Sequence, residues 1–359
     1  MKQGSWVRRC MARKSTDPAC RWPRNTLMHA DILIVGQGLA GTVLAWKLER
    51  AGLAFAVIDA GHEQAASRAA AGIINPITGR RLVKSWRVDE LLPLARDTYR
   101  EMEQALGVSL WREMRVRRLF RDDRERRVFA EKQARGELAP FAGDADDAGF
   151  WIAPAARVDV PALLTAARQR WLEQGVLREA RMDWTRMGRA PALVIDCTGE
   201  AMRHGLLASV KFAVSKGETL QVGVAGLTPD VILNNGRWLV PTGDDAGWVG
   251  ATHEPGVENP APTTEARATL LSSAQALAGR EVAVRRQLAG LRLSAPDKHP
   301  VAGRHPENSR LGMCGALGAK GALYAPWLAQ QWVAHLKTAA EFDPAVAVTR
   351  LGLQPPKMA

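Results

Sequence analysis

Cysteine is scarce in this 359-residue chain, with Cys10, Cys20, Cys197 and Cys314 forming no CxxC pair and no metal-ligand spacing. That excludes a disulfide scaffold or a cysteine zinc site, and a reducing cytoplasm is the expected location. The seven histidines form no HExxH or HxH pair, so no metal is expected. Long apolar runs are also missing: none approaches the roughly 18 residues a membrane helix needs, so no membrane partner is expected. There are no internal repeats and no low-complexity tract. Acidic residues are few, 37 against 49 Lys and Arg, which leaves a net charge of +12. Half of that excess lies in residues 1–27, where Lys2, Arg8, Arg9, Arg13, Lys14, Arg21 and Arg24 face only Asp17. Between Arg112 and Arg127 the arginines are interrupted by Asp122, Asp123 and Glu125. A solvated helix face explains this cluster better than a phosphate-tracking stripe, so nucleic acid is not the expected partner.

The basic segment 1–27 lacks the apolar stretch of a secretory signal, and Arg8-Arg9 lacks the run a twin-arginine signal requires. We read it as a disordered or untranslated extension, with Met28 as the start of the working chain. The rest has an ordinary composition, with 47% hydrophobic and 24% charged residues in the whole sequence, enough for a sizeable core.

What is present begins at Asp31. The apolar run Ile32 to Val35 meets Gly36-Gln37-Gly38-Leu39-Ala40-Gly41, a helix-patterned segment ends at Gly52, and a second apolar run ends in Asp59. Strand, glycine turn, helix, strand and terminal acid in this order form a dinucleotide-binding fingerprint. Gly36 permits the tight turn, Gly38 lets the backbone approach a pyrophosphate, and Gly41 lets the helix pack on the sheet. The helix N-terminus offers unpaired N–H groups and partial positive charge to phosphates. Asp59 is placed to accept hydrogen bonds from ribose hydroxyls.

Further along, apolar spacing predicts helices from Asp89 to Gly107 and over Val158 to Trp171, and a short buried strand at Ala192 to Asp196. That strand runs into Cys197-Thr198-Gly199, a small-residue turn suited to close approach by a ligand. Residues 144–147 read as a loop. From Phe212 to Thr252 the period shifts to strands in an antiparallel meander, followed by a helix over Thr263 to Ala278. After Gly290-Leu-Arg-Leu-Ser-Ala-Pro-Asp-Lys-His-Pro comes a strand at Leu311 to Cys314. The turn Gly315 to Gly321 and a helix through Leu336 complete a second strand, glycine turn and helix unit.

These motifs, in this order from Ala30 to about Leu336, resemble the D-amino-acid-oxidase-like family of FAD enzymes, which includes glycine oxidase and sarcosine oxidase. The resemblance implies an α/β fold: an FAD-binding, glutathione-reductase-like Rossmann domain interleaved with an antiparallel-sheet substrate domain. Residues 28–88, 151–205 and 286–345 would form the first, and 89–150 and 206–285 the second. Adenosine and pyrophosphate would lie on Gly36, Gly38, Leu39, Ala40, Gly41, Asp59, Thr198 and Gly199. The isoalloxazine would face Ser67, Ala71, Gly72 and Ile73 on one loop and Gly318, Ala319, Lys320 and Gly321 on another. Covalent relatives carry their attachment cysteine in the stretch matching Gly290 to Pro300, which has none here, so noncovalent FAD is expected.

The same resemblance makes Arg292 the substrate anchor, since a planar guanidinium grips a carboxylate bidentately and orients the Cα–H bond toward flavin N5. The alternative is a structural arginine that satisfies carbonyls or Asp297. Lys320 would add positive charge beside the flavin, or simply be a solvated lysine at a helix start. His299 reads as structural. Where amino-acid oxidases of the family tend to carry a tyrosine, this chain offers Trp238, which puts a small substrate such as glycine in doubt; a core tryptophan is the alternative. The implied function is oxidation of the C–N bond of an amino acid or secondary amine by hydride transfer to flavin N5, with oxygen or another acceptor taking the electrons. Three other readings are a 2-hydroxy-acid oxidase, an FAD-dependent tRNA-nucleoside modification enzyme and a flavin-binding protein without turnover.

Overall fold

The computed structural model describes residues 30–61, 65–184, 191–205 and 207–352; the expectation for residues 1–27 lies outside them. One sheet has six strands: β1 (Ile32–Val35), β2 (Phe55–Asp59), β3 (Leu177–Glu179), β4 (Leu193–Asp196), β5 (Val301–His305) and β6 (Asn308–Gly315). Their spatial order is β5-β6-β4-β1-β2-β3, and only the edge strand β5 runs antiparallel to its neighbour. Every residue of β1 and β4 is buried, as expected of parallel strands covered on both faces. Helix α1 (Leu39–Arg50) joins β1 to β2 and is buried over most of its surface. From β1 the chain moves one way to β2 and β3, then the other way to β4 and β6. The carboxyl ends of β1 and β4 therefore flank a topological switch point, where open α/β sheets leave a crevice for ligands.

The second sheet has ten strands and is mostly antiparallel. Its longest pairing joins Ala213–Gly223 to Ala283–Ser294, from Ala213↔Ser294 to Gly223↔Ala283. The strands Ala246–Gly250, Trp238–Gly243 and Val231–Asn234 follow in space, and the last pairs in parallel with Trp111–Leu119. Gly149–Val158 pairs with Trp111–Leu119, and Ile73–Ile74 joins at the far edge. Gly149–Val158 and Ala283–Ser294 cross the segment limits read from the sequence at 151 and 286, and both lie in this sheet.

Among the described residues the remaining α-helices are α2 (Val88–Leu106), α3 (Asp123–Ala134), α4 (Val160–Glu173), α5 (Thr264–Ala278) and α6 (Gly321–Thr338). Helix α5 covers one face of the second sheet, where Leu220, Val222, Leu239 and Val249 pack with Leu270, Ala274 and Leu277. Residues of opposite parity, Gly217 and Thr219, look to the other face, toward the loop after β2.

Two local readings need correction. Residues 111–119 form a strand, whereas the arginine-rich pattern predicts a helix face. Met114, Val116 and Arg118 are the buried alternate positions, so an arginine occupies an inward site and disguises the period of two. Arg118 can stay inside because it donates to Glu125 and to Asn234 Oδ1, the latter at 2.7 Å. Residues 142–145 form a short, mostly exposed strand held by two register pairs to Gly149–Val158, so the predicted loop at 144–147 begins later.

Candidate active site

The glycine turn is shaped by three different constraints. Gly36 has φ +98°, and a Cβ there would lie 2.8 Å from Cys197 O, so only glycine passes between the ends of β1 and β4. A Cβ on Gly41 would lie 1.9 Å from Gly36 O, which fixes how closely α1 leans on the turn. Gly38 precedes α1 in extended backbone, and its added Cβ would meet only Ser67 Oγ, at 3.5 Å. The opening beside Gly38 leaves the start of α1 accessible to an anion. Leu39 N, the first amide of α1, donates to Ser67 Oγ at 3.1 Å, and Ala40 is buried one residue further on.

Asp59 is buried at the end of β2. Its Oδ2 accepts from Gln37 N at 2.7 Å, and its Oδ1 accepts from Gly61 N at 2.9 Å. Arg168 of α4 donates to Asp59 Oδ1 at 3.0 Å, to Gln37 Oε1 at 2.8 Å and to Glu179 Oε1 at 2.7 Å. Gln37 and Arg168 are therefore built into the acid's surroundings, and sequence reasoning passed over both. Gln37 lies inside the fingerprint, between two glycines whose spacing says nothing of the residue between them. Arg168 is 109 residues from Asp59, with no local signal to tie it there.

Ser67 sits in a short 3-10 turn, Ala66–Arg68, that rests on the second sheet. A Cβ on Gly290 would lie 2.7 Å from Ala66 Cα, and Thr219 Oγ1 donates to Ala69 O at 3.1 Å. Ala71 is buried, a Cβ on Gly72 would strike Val158 O at 1.9 Å, and Ile73 pairs with Arg157. The loop is thus pinned between the two sheets. Beyond β4, Thr198 donates from N and Oγ1 to Asp196 Oδ1 at 2.9 and 2.6 Å, and Gly199 has φ +65°. Burial pushes the Asp196 carboxyl above the usual range.

The turn before α6 docks on the strand that carries Arg292: Gly318 N donates to Leu293 O at 3.0 Å, and Ser294 bridges to Leu317. Ala319 is exposed, and a Cβ on Gly321 would lie 3.2 Å from Leu39 Cδ2, so α6 and α1 begin side by side. Lys320 stands at the N-terminal boundary of α6. It has no hydrogen-bonding or ionic side-chain partner among the described residues, and desolvation pulls its pKa down.

Arg292 lies on the second sheet, in the strand on which that turn docks. Its guanidinium lies flat on Gly217, where an added Cβ would be 2.1 Å from Nη2. Nη1 reaches Thr252 O at 3.5 Å, and among the described residues no carboxylate pairs with it. Asp297, the structural partner considered from the sequence, is instead bound to Arg350 at 2.7 Å. Burial alone lowers the pKa of Arg292. Among the described residues neither Arg292 nor Lys320 has a carboxylate partner, and a cation left in that state suits an anion-accepting site. His299 stacks on Trp86, with ring centroids 4.6 Å apart, in the structural role read for it.

The DAO family profile, described as FAD dependent oxidoreductase, matches residues 31–336. This chain belongs to the DAO family of FAD-dependent oxidoreductases. Among curated proteins it is 30% identical over 324 residues to the tRNA 5-methylaminomethyl-2-thiouridine biosynthesis bifunctional protein MnmC of Maricaulis maris strain MCS10. That match takes in 85% of this chain, which spans about half (52%) of the relative's length. Among solved structures, iminodiacetate oxidase from Chelativorans sp. BNC1 superposes with TM-score 0.71 at 20% identity, over 89% of this chain and 98% of that one. Glycine oxidase from Geobacillus kaustophilus superposes with TM-score 0.70 at 22% identity, over 88% and 96%. The fold is therefore the FAD-binding Rossmann type with mixed parallel and antiparallel sheets, and the chain is an enzyme of the oxidoreductase class. The residues present suit the family's cofactor: an open helix N-terminus at Gly38, a carboxylate at Asp59 and a loop lodged between the sheets. Among the described residues there is no cluster of metal-ligating side chains and no helix long and apolar enough to cross a membrane.

Proposed function

We propose that this enzyme oxidises the C–N bond of a carboxylated amine, either an amino acid or a secondary amine. The observation that carries the reading is Arg292, a half-buried guanidinium seated on Gly217 with no acidic partner among the described residues, on the sheet face that fronts the Ser67–Ile73 loop. An unpaired cation in such surroundings is costly unless a ligand supplies the anion. A substrate carboxylate would bind it through two parallel N–H···O bonds, which fixes both the position and the rotation of the adjacent carbon. Lys320 would bring a second positive charge from the start of α6. Noncovalent FAD, held by the Gly36–Gly41 turn and Asp59, would supply the two-electron acceptor by taking a hydride at N5. The C=N product would hydrolyse in water, and oxygen or another acceptor would complete the cycle. We assign cofactor binding to the six-stranded sheet and its loops, and substrate binding to the ten-stranded sheet.

The test is anaerobic bleaching of the flavin spectrum by a panel of amino acids, N-methyl amino acids and 2-hydroxy acids. Bleaching by an amine member is the expected result, and readmitted air then separates an oxidase from a dehydrogenase. Bleaching by hydroxy acids alone would overturn the C–N reading.

The MnmC relative favours a second reading, in which the amine belongs to a modified nucleoside of tRNA. The arginines around residue 117 give it little support. Arg115 pairs with Asp230, Arg117 with Asp146 and Arg121 with Glu125, so their charge is largely met within the chain. Salt-dependent binding of tRNA, with flavin bleaching by that tRNA alone, would favour this reading over the first.

A further inference from the structure

The carboxylate anchor leaves open what the rest of the substrate touches, and the second sheet offers an answer on the same face. Leu288, Thr219, Gly250 and Trp238 stand in one cross-strand row, each paired with the next. The row faces the Ser67–Ile73 loop, because Thr219 Oγ1 reaches back to Ala69 O. Trp238 does not stand away from the sheet. A Cβ on Gly250 would lie 2.5 Å from Trp238 Cζ2, 2.7 Å from Cη2 and 2.8 Å from Thr219 Cγ2. The six-membered edge of the indole therefore lies over Gly250 and reaches toward Thr219.

Two glycines on one face thus seat two large side chains: Gly217 under the Arg292 guanidinium and Gly250 under the Trp238 indole. Gly217 is two residues from Thr219, and Thr219 is directly opposite Gly250. Strand geometry gives about 7 Å along the chain and about 5 Å across, or roughly 8 Å between the two seats. A carboxylate held at the first places the α-substituent or N-substituent of an amino acid toward the second. Trp238 packs against the main core yet is only partly buried, so part of the indole stays open; among the described residues its N–H meets no acceptor.

We propose that Trp238, seated on Gly250, is a specificity-determining wall, and that the substrate carries an apolar or aromatic group beyond its carboxylate. Glycine would fill the anchor and leave the indole bare. The inference rests on the carboxylate-anchor reading of Arg292 but not on the chemistry that follows binding.

The experiment compares binding of acetate and phenylacetate to the FAD-loaded protein, by calorimetry and by perturbation of the flavin spectrum. Apolar contact with an indole face makes phenylacetate bind at least about tenfold tighter than acetate. In Trp238→Ala the ratio of the two affinities collapses toward one, and in Trp238→Phe part of it returns. Arg292→Leu loses both ligands. Equal affinities in the unaltered protein, or a ratio unchanged in Trp238→Ala, would overturn the proposal. The Phe variant keeps the test decisive if the Ala variant folds poorly: a packing role would restore stability without restoring the ratio. If the ratio behaves as expected while no amine bleaches the flavin, the wall stands and the proposed oxidation fails.

Discussion

Asp59 and Arg292 are the two charges on which the proposed site rests, and the chain treats them in opposite ways. Asp59 is held by its own protein: two backbone amides and the Arg168 guanidinium donate to the carboxylate before any ligand arrives. Arg292 is left short, with one long contact to a carbonyl and a pKa lowered by desolvation. The difference separates a resident ligand from a transient one. A cofactor site can be prebuilt and internally neutral, because its ligand adds to a complete hydrogen-bond network. A site that must bind and release an anion keeps its cation uncompensated, and that costs stability in the empty state.

The most direct way to break the comparison is Arg292→Leu. Loss of a desolvated charge pair typically costs about 2–5 kcal/mol of binding. Apparent KM for carboxylated substrates should therefore rise by about thirtyfold or more. The retained FAD, read from the ratio of flavin to protein absorbance, should be unchanged. Thermal stability of the substrate-free protein should hold or rise, because a half-buried cation without a counter-ion has been removed. A clear drop in stability with KM intact would make Arg292 a structural residue.

Asp59→Ala should do the reverse. It leaves Gln37 N–H, Gly61 N–H and one arm of Arg168 without their acceptor, a loss of about 1–3 kcal/mol of folding stability. FAD affinity, measured by fluorescence quenching on reconstitution, should fall by about tenfold or more, with substrate KM in the loaded fraction little changed.

The proposed nucleotide and substrate ends also differed in how far they could be read from sequence. The nucleotide end is local: Gly36 to Asp59 is one βαβ unit whose spacing is set by strand, turn and helix, so each glycine's task follows from its place in the chain. The structure adds Arg168, brought 109 residues to Asp59 by the packing of α4, which no local pattern announces. The substrate end is assembled by pairing. Arg292 faces Ser215, Gly217 faces Gly290 and Gly250 faces Trp238, and such registers arise only when the sheet forms. The same limit explains the strand at 111–119, where an inward arginine with distant partners broke the alternation that marks a strand.

Gly217→Ala sharpens the comparison by moving Arg292 without removing it. The added methyl would sit 2.1 Å from Nη2, and the far end of a flexible side chain can give way, so the fold should survive. The displaced guanidinium should raise KM by roughly tenfold, less than its removal, since a shifted cation keeps charge and loses bidentate geometry. FAD content should again be unchanged. An unaffected KM would mean that the position of the guanidinium over Gly217 does not matter for substrate.

The smallest effect concerns Lys320, which shares the condition of Arg292 but can shed its proton. Burial lowers its pKa in the folded chain, so the unfolded chain holds that proton more tightly. Stability of the cofactor-free protein therefore gains from this residue as pH rises through the folded pKa, until the unfolded lysine also loses its proton near about 10.4. Below the folded pKa both states are charged, and the desolvation penalty is present in full. Lys47 is lowered by burial as well and contributes a similar slope, so the informative quantity is the difference between the unaltered protein and Lys320→Met. Melting temperatures taken across the alkaline range should show the variant ahead at neutral pH and the gap closing as pH approaches the ordinary lysine range. A gap independent of pH would assign the effect to packing at the start of α6, and Lys320 would then be no part of the uncompensated charge that distinguishes the substrate end.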